Sequence, residues 1–534
     1  MKYLLLSLSL LMTTLGLISS VHANPTNQKM LMVIEENSNH VSFYDQDNGR
    51  KLGSLQVGSL PHEVTVSEDG KTVYVSNFGI KDYDSGVGTP GASISVIDIP
   101  NRVEKYRLYT FDPALHQDYA QIDGAPHGVK LRPYHENQLY VNLEKGGKVI
   151  VYDVTKQTMI KKWEVSPNTH NIFFSQDGKT LWLMAGKDGV IRSDAETGKT
   201  TGSFVLPTPV RGLKYTPDHR YLMVSAVNQI LFLDPDTLTV KKEFTNLGVG
   251  AILYSDITPD QKYIVAPAAF DNQVLVIEVD TGKIIKRLVT GLNPVTVMID
   301  ESGDFAYITN ATDKHITKLD MHTLQETNIS TKDGPNGITF VPFSKSPSHQ
   351  KLTFGVALPL SGKDAPFGRD MMRGYEYWKL NVARAGGLYM NDHVYDVNIV
   401  YLDTQSDVNN LVQLTNTLIN QYQVNLLLST YGTIGYNIEK QIAMANHTAI
   451  TLQQNNNDAW LPNDLSVGKD IFVTTHFYDQ QYYAQYNFKA STYSADATAI
   501  GIALQKALLE TNSLDEESLT KVFEKNKFDI FYQY

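Results

Sequence analysis

The sequence predicts a multidomain chain: an all-β, seven-bladed β-propeller followed by an α/β domain built on a parallel sheet. Three observations predict it. A strand ending in an acid recurs seven times, a tight turn with a following strand keeps the same beat, and beyond residue 350 strands alternate with helices.

At 534 residues the chain exceeds one ordinary domain. It opens with Met1-Lys2, an apolar stretch from Leu4 to Ile18, and Val21-His22-Ala23, the composition of a secretory signal peptide. Ser7, Ser9, Thr13 and Thr14 interrupt the run too often for a permanent span. Residues 1–23 are therefore expected to be a removable signal, leaving a soluble protein with no membrane span. The chain has no cysteine, which excludes disulfides, thiolate metal sites and cysteine nucleophiles. Its net charge is −11 with no basic stripe, so nucleic acid is excluded as a partner.

The propeller is expected over 24–344. The acid-terminated strand appears as Val41 to Asp45, Ile94 to Asp98 and Val149 to Asp153, then as strands ending at Asp194, Asp234, Glu278 and Asp320. The later steps hold to the ~40–45-residue blade period, and two early ones are longer. The second marker is Asp69-Gly70-Lys71 and the strand after it, with versions at Asp177-Gly178, Pro217-Asp218, Pro259-Asp260 and Ser302-Gly303. An Asp-Gly pair supplies the positive backbone angle that a tight turn needs. The first blade enters at its second strand, Met30 to Glu35. An unpaired inner-type strand, Gly337 to Phe343, is expected to complete that blade and close the ring. Two insertions, Ile80 to Ala92 and Phe111 to Ala125, account for the long early steps. Their acids, Asp82 and Asp84, then Asp112, Asp118 and Asp123 with His116, fall short of a calcium loop and read as solvated loops. On Tyr74-Val75-Ser76-Asn77, Tyr140-Val141-Asn142 and Tyr307-Ile308-Thr309-Asn310, the blades resemble the YVTN-type propeller repeats of bacterial exported proteins.

The residues starting each innermost strand face the central channel: His62, His127, His170, Arg211, Leu253, Val295 and Asn336. Three histidines from consecutive blades could hold a transition metal through imidazole nitrogens; with Arg211 they could bind an anion instead. Polar side chains sharing channel water is the third reading. No carboxylate is expected to join them.

A polar linker at 345–350 leads to the second domain, 351–534. Leu352 to Leu360 reads as a strand. Phe367, Met371, Tyr375, Trp378, Val382 and Ala385 then follow at helical spacing, ended by Gly386-Gly387. Val397 to Leu402 is the next strand, followed by a helix marked by Leu411, Leu414 and Leu418. Val424 to Leu428 and a helix marked by Ile434, Ile438 and Ile442 repeat the unit, and Thr448 to Leu452 adds a fourth strand. Ser513 with Glu516 reads as a capping box. Repeated βα units imply a parallel sheet with ligands beyond the carboxyl ends of its strands.

Phe354 to Gly362, the Phe367-Gly368 step, Ala385-Gly386-Gly387-Leu388 and Tyr401 to Asp407 resemble type I periplasmic binding proteins of the leucine/isoleucine/valine-binding group of ABC importers. The likeness covers most of 351–454 and, more weakly, Tyr482 to Phe523. It implies an amino acid held by hydroxyls and backbone groups at the strand exits, which by position are Ser361, then Ser429, Thr430 and Thr433, then Gln453 and Gln454. Helix capping is the alternative role for each. The family's second lobe has almost no room between Phe472 and Tyr493, so the domain is expected to be truncated.

The leading expectation is a periplasmic, non-enzymatic binding protein without a cofactor, the propeller serving as interaction platform. The resemblance implies a branched-chain amino acid or related small acid as ligand, and an ABC permease or other periplasmic protein as partner. The alternatives are a metalloprotein or enzyme using the channel histidines, and an accessory scaffold for a periplasmic quinoprotein oxidation system.

Overall fold

The computed structural model describes residues 28–81, 84–110, 123–167, 169–452, Tyr478 and 481–525. The expected signal peptide, Asp82, Asp112, His116, Asp118, Gln453 and Gln454 lie outside the described residues.

Seven four-stranded antiparallel sheets form the blades. The recurring acids explain how each blade turns outward. Asp45, Asp98, Asp153, Asp194 and Asp320 end the third strands and Asp234 directly follows one, and each carboxylate accepts backbone N–H groups from the following turn, as Asp153 does from Thr155 and Lys156 at 3.1 Å. These are Asx turns, which fix the chain reversal without help from other elements. The second marker works similarly between the first and second strands. Ser67 Oγ donates to Asp69 at 2.6 Å, the Lys71 N–H donates to the same carboxylate, and Gly70 sits at φ 68°. Ser175 with Asp177, Thr216 with Asp218 and Thr258 with Asp260 repeat the device.

Adjoining blades interlock through alternate side chains. Ile94 and Val96 of blade two meet Leu139, Val141 and Ile150 of blade three, for instance. Each such aliphatic side chain stabilises the ring by about 1.5–3 kcal/mol on burial. The ring closes as expected: strand Pro335–Pro342 pairs antiparallel with Lys29–Glu35, Val33 opposite Ile338 and Leu31 opposite Phe340. Buried Glu35 braces the seam, accepting from the Lys332 N–H and the Tyr44 hydroxyl, both at 2.8 Å. The first insertion forms a small hairpin, Ile80–Lys81 with Asp84–Gly88. Asp123 is no solvated loop acid. It is buried and paired with Lys148 at 2.9 Å and Lys162 at 3.0 Å.

The second region is a three-layer α/β/α arrangement on a mixed sheet. Its strands run in the order Leu388–Met390, His393–Asp403, His349–Leu358, Leu426–Leu427, the last three parallel. Leu352, Phe354, Val356 and Leu358 point to one face, where helices Ala365–Arg384 and Thr492–Thr511 pack. Gly374 lies under the Ser494 carbonyl and Gly501 under the Trp378 ring, so small residues set the helices' close approach. Ala357 points to the other face, against helices Val408–Asn420 and Thr433–Ala445.

Several details depart from the sequence expectations. The first strand begins at His349, inside the expected linker. A short strand, Leu388–Met390, forms a hairpin where only a helix end was read. The expected fourth strand is reduced to one bridge, Ile450 to Leu427. In helix Thr433–Ala445 the buried face is Gly435, Tyr436, Glu439 and Ala443, and Ile434 is 74 % exposed. Of the expected isoleucine stripe, Ile438 packs at the edge of this contact and Ile442 is partly buried, while the small Gly435 and Ala443 sit at its centre, where they allow close approach. Helix Glu516–Lys525 is capped by Asp515, which accepts from the Ser518 N–H at 2.9 Å, so Ser513 and Glu516 form no capping box.

The two regions meet at blade two. The Glu104 N–H donates to the Ala385 carbonyl at 2.9 Å, Val103 packs on Tyr389 and Val394, and the Lys105 ammonium lies 4.7 Å from the Tyr389 ring centre. Gly386, at φ 96°, sits where any Cβ would strike the Arg102 carbonyl.

Candidate functional site

Two places bring together the residues singled out in the sequence. The first is the propeller channel. In each blade the second strand runs antiparallel to the inner one, so its final residues lie beside the inner strand's start: Asn77 opposite Pro61, and Leu143 opposite Pro126. The residue after each second strand is thereby delivered to the histidines. These are Glu36 in blade one, Phe78 in blade two and Glu144 in blade three.

His62, His127 and His170 form one cluster, a ligand atom of each lying within 4.8 Å of the others. The His62 and His127 ring centres are 4.2 Å apart and those of His127 and His170 are 3.9 Å apart. His127 is fully buried, its carbonyl fixed by the Ser76 hydroxyl at 2.7 Å, and neither ring nitrogen has a hydrogen-bond partner among the described residues. Burial first, then His170, His62 and Lys130, push its pKa well below the ordinary histidine value, so the ring is neutral. His170 Nδ1 meets Glu144 Oε2 at 2.9 Å. Burial works against the Glu144 carboxylate, but the His170 hydrogen bond and nearby positive groups bring its pKa below the usual value. His62 Nδ1 meets the Asn336 amide nitrogen at 2.9 Å, which also donates to Glu36 at 2.8 Å.

The expectation that no carboxylate joins the histidines is therefore corrected. Reading the inner strands alone missed Glu36 and Glu144, although their place after the second strand was a usable signal. Arg211 is exposed and does not join the triad. It shares with His170, Glu144 and Lys145 the wall of a neighbouring cavity of about 350 Å³.

The second place is a cleft of about 890 Å³ at the carboxyl ends of the three parallel strands. The first exit supplies Lys363 and Asp364, the second Ser406 and Asp407, the third Thr430 through Gly435. Gly432, Thr433, Ile434 and Gly435 are the start of a helix whose first-turn N–H groups have no intrahelical acceptor. Phe367 stacks on Tyr431 at 5.2 Å, and Tyr493 joins both, giving the region an aromatic edge.

Of the residues expected to touch ligand, Thr430 and Thr433 line this cleft. Ser361 stands beside it, tied through its N–H to Asp403 at 3.0 Å and through its carbonyl to the Ser406 hydroxyl at 2.7 Å. Ser429 is buried against the Tyr375 hydroxyl at 3.2 Å, and the Thr430 hydroxyl donates to the Ala357 carbonyl. Beneath Thr430, buried Glu439 accepts from its N–H at 2.9 Å, while its other carboxyl oxygen has no partner among the described residues. Burial drives the Glu439 pKa well above the ordinary carboxylate value, so it is a neutral acid.

A family model described as the choice-of-anchor I domain matches residues 4–132. Antigen Lp49 of Leptospira interrogans is 24 % identical over 205 residues, covering 35 % of this chain and 41 % of that protein; the chain thus spans well under half of the curated relative it matches. Among solved structures, hydrazine synthase of Kuenenia stuttgartiensis aligns at 19 % identity and TM-score 0.43, over 59 % of this chain and 99 % of that one. A putative 6-phosphogluconolactonase of Bacteroides uniformis aligns at 15 % identity and TM-score 0.47, over 59 % and 100 % of the two chains. No helix among the described residues is long and apolar enough to cross a membrane.

Proposed function

We propose that this chain is an exported, non-enzymatic binding protein whose α/β region takes a small solute carrying a carboxylate and an ammonium group. The cleft at the strand ends carries the reading. Helix N–H groups around Ile434 and Gly435, with Lys363, suit a carboxylate, and Asp364 suits an ammonium. The aromatic edge of Phe367, Tyr431 and Tyr493 suits a small apolar side chain. The leader-like first residues, the choice-of-anchor match and a relative named as an antigen support a surface or secreted location, the periplasm being the finer form of that reading. The propeller serves as the platform, and uptake through an ABC permease is the partner reading that the sequence motifs favour.

Thermal-shift titration of the full chain with branched-chain amino acids and small carboxylic acids tests this. A saturable rise in melting temperature is expected with at least one of them, and it should disappear in the Lys363→Gln, Asp364→Asn double variant. A flat response to all of them sinks the solute-binding role.

A further inference from the structure

We infer that His62, His127 and His170 form a binding site for one divalent first-row metal ion, zinc or copper, at the mouth of the propeller channel. The first argument is enclosure. A fully buried side chain with two unpartnered ring nitrogens is costly, because buried polar atoms are nearly always hydrogen-bonded. A metal ion between the rings would give one of those nitrogens a partner, which nothing else among the described residues does.

The second argument is the donor set. Three imidazoles with no thiolate suit zinc or copper and are poor for calcium or magnesium, which take oxygen ligands. An anion is a weaker fit, since it would require a charged imidazole in an enclosed place. The third argument is the support behind the rings. Glu144 takes the Nδ1 side of His170 at 2.9 Å. A carboxylate behind a ligating histidine fixes the ring's orientation and raises its basicity.

The geometry sets what must move. Ligand nitrogens around a tetrahedral zinc lie roughly 3.3 Å apart, given Zn–N bonds of about 2.0–2.1 Å. The three donor atoms here lie within 4.8 Å of one another, so the rings draw together on binding. His62 rearranges most. Its Nδ1 now accepts from the Asn336 amide, so ligation through Nε2 shifts a proton to Nδ1 and requires that amide to turn. With three protein ligands a fourth position remains for water or an exogenous group, and the cavity beside His170 has room for one.

The test uses the full chain prepared without an affinity tag, stripped with a chelator and dialysed against Zn²⁺ or Co²⁺. One equivalent of metal per chain is expected, with a raised melting temperature and the visible absorption of four-coordinate Co²⁺. His127→Gln and His170→Gln should each lower affinity by at least ~100-fold. Glu144→Gln should lower it about 10–100-fold, and His62→Gln should have the smallest effect of the three histidine changes. If His127→Gln does not fold, the half-buried His170→Gln carries the test. Wild type that takes up no stoichiometric metal overturns the proposal. So does metal uptake that survives His170→Gln unchanged, or stabilisation by phosphate or sulfate in place of metal.

Discussion

At the mouth of the propeller channel, His127 is wholly enclosed with neither ring nitrogen bonded among the described residues, whereas beneath the α/β cleft the equally enclosed Ser429 and Thr430 engage their hydroxyls with neighbours. The same residue-level suspicion pointed to both places. In the propeller it found one side chain, His127, with ligand capacity to spare among the described residues. In the α/β region it found side chains already committed to holding the strand exit in shape, and the cleft's chemistry passes to Lys363, Asp364 and the start of a helix. A polar residue at a strand exit is therefore a candidate only until its internal partners are known.

The largest expected effect separates the two regions. Trp378 is fully buried, rests on Gly501 and donates to Gln505 at 2.8 Å. Trp378→Ala should cost the α/β region about 3–5 kcal/mol. In urea unfolding, its transition is expected to move to lower denaturant while the propeller's stays in place; a common shift of both would show that they unfold as one.

Gly128→Ala attacks the histidine cluster without touching a histidine. A Cβ there would lie 2.3 Å from the Asn171 side-chain oxygen and 2.4 Å from that of Asn142, which accepts from the Gly128 N–H. The expected cost is about 1–3 kcal/mol, with loss of Co²⁺ absorption measured on the folded variant.

Two changes at the cleft should separate shape from recognition. Lys363→Gln should weaken ligand about tenfold, or ~1.4 kcal/mol, and leave the melting temperature nearly unchanged. Ser429→Ala should lower stability by about 1 kcal/mol and leave affinity unchanged. Titration and melting of the two variants side by side check this; reversed effects would return the ligand to the serine.

The smallest effect is a pH dependence. Glu439 has a folded pKa above its unfolded one, so its neutral form favours the fold. That contribution is complete below the ordinary carboxylate range and declines as pH rises through the raised folded value. Melting temperature should fall from mildly acid to mildly alkaline buffer, and Glu439→Gln should flatten that slope.

The propeller was legible because six of the seven blades repeat the same local chemistry. An Asx turn after Asp153 or Asp234 is made within a few residues, so sequence spacing alone exposes it. Ring closure was legible for the same reason, as an inner-type strand left over at one end. What escaped was set by distant partners. Nothing near Thr430 announces that its hydroxyl turns to Ala357, and nothing in the Ile434, Ile438, Ile442 stripe shows that Ile434 is left exposed while Gly435, Tyr436, Glu439 and Ala443 fill the contact. The histidines were found but their carboxylates were not, because Glu36 and Glu144 arrive from the second strand of the preceding blade, Glu36 through Asn336 to His62 and Glu144 directly to His170.

The seam of blade one has a mechanical consequence. Lys29 and Pro342 pair at the same end of it, with the Phe343 N–H bonded to the Gln28 carbonyl just beyond. A pull between the start of the propeller and the α/β region would load these pairs one after another, as a zipper opens, rather than all together in shear. Arg102 of blade two is the clasp at that end. Its guanidinium holds the Leu52 and Ser344 carbonyls, each at 2.6 Å, and its own carbonyl backs onto Gly386. Resistance to being pulled open rests first on one arginine and only then on the ring.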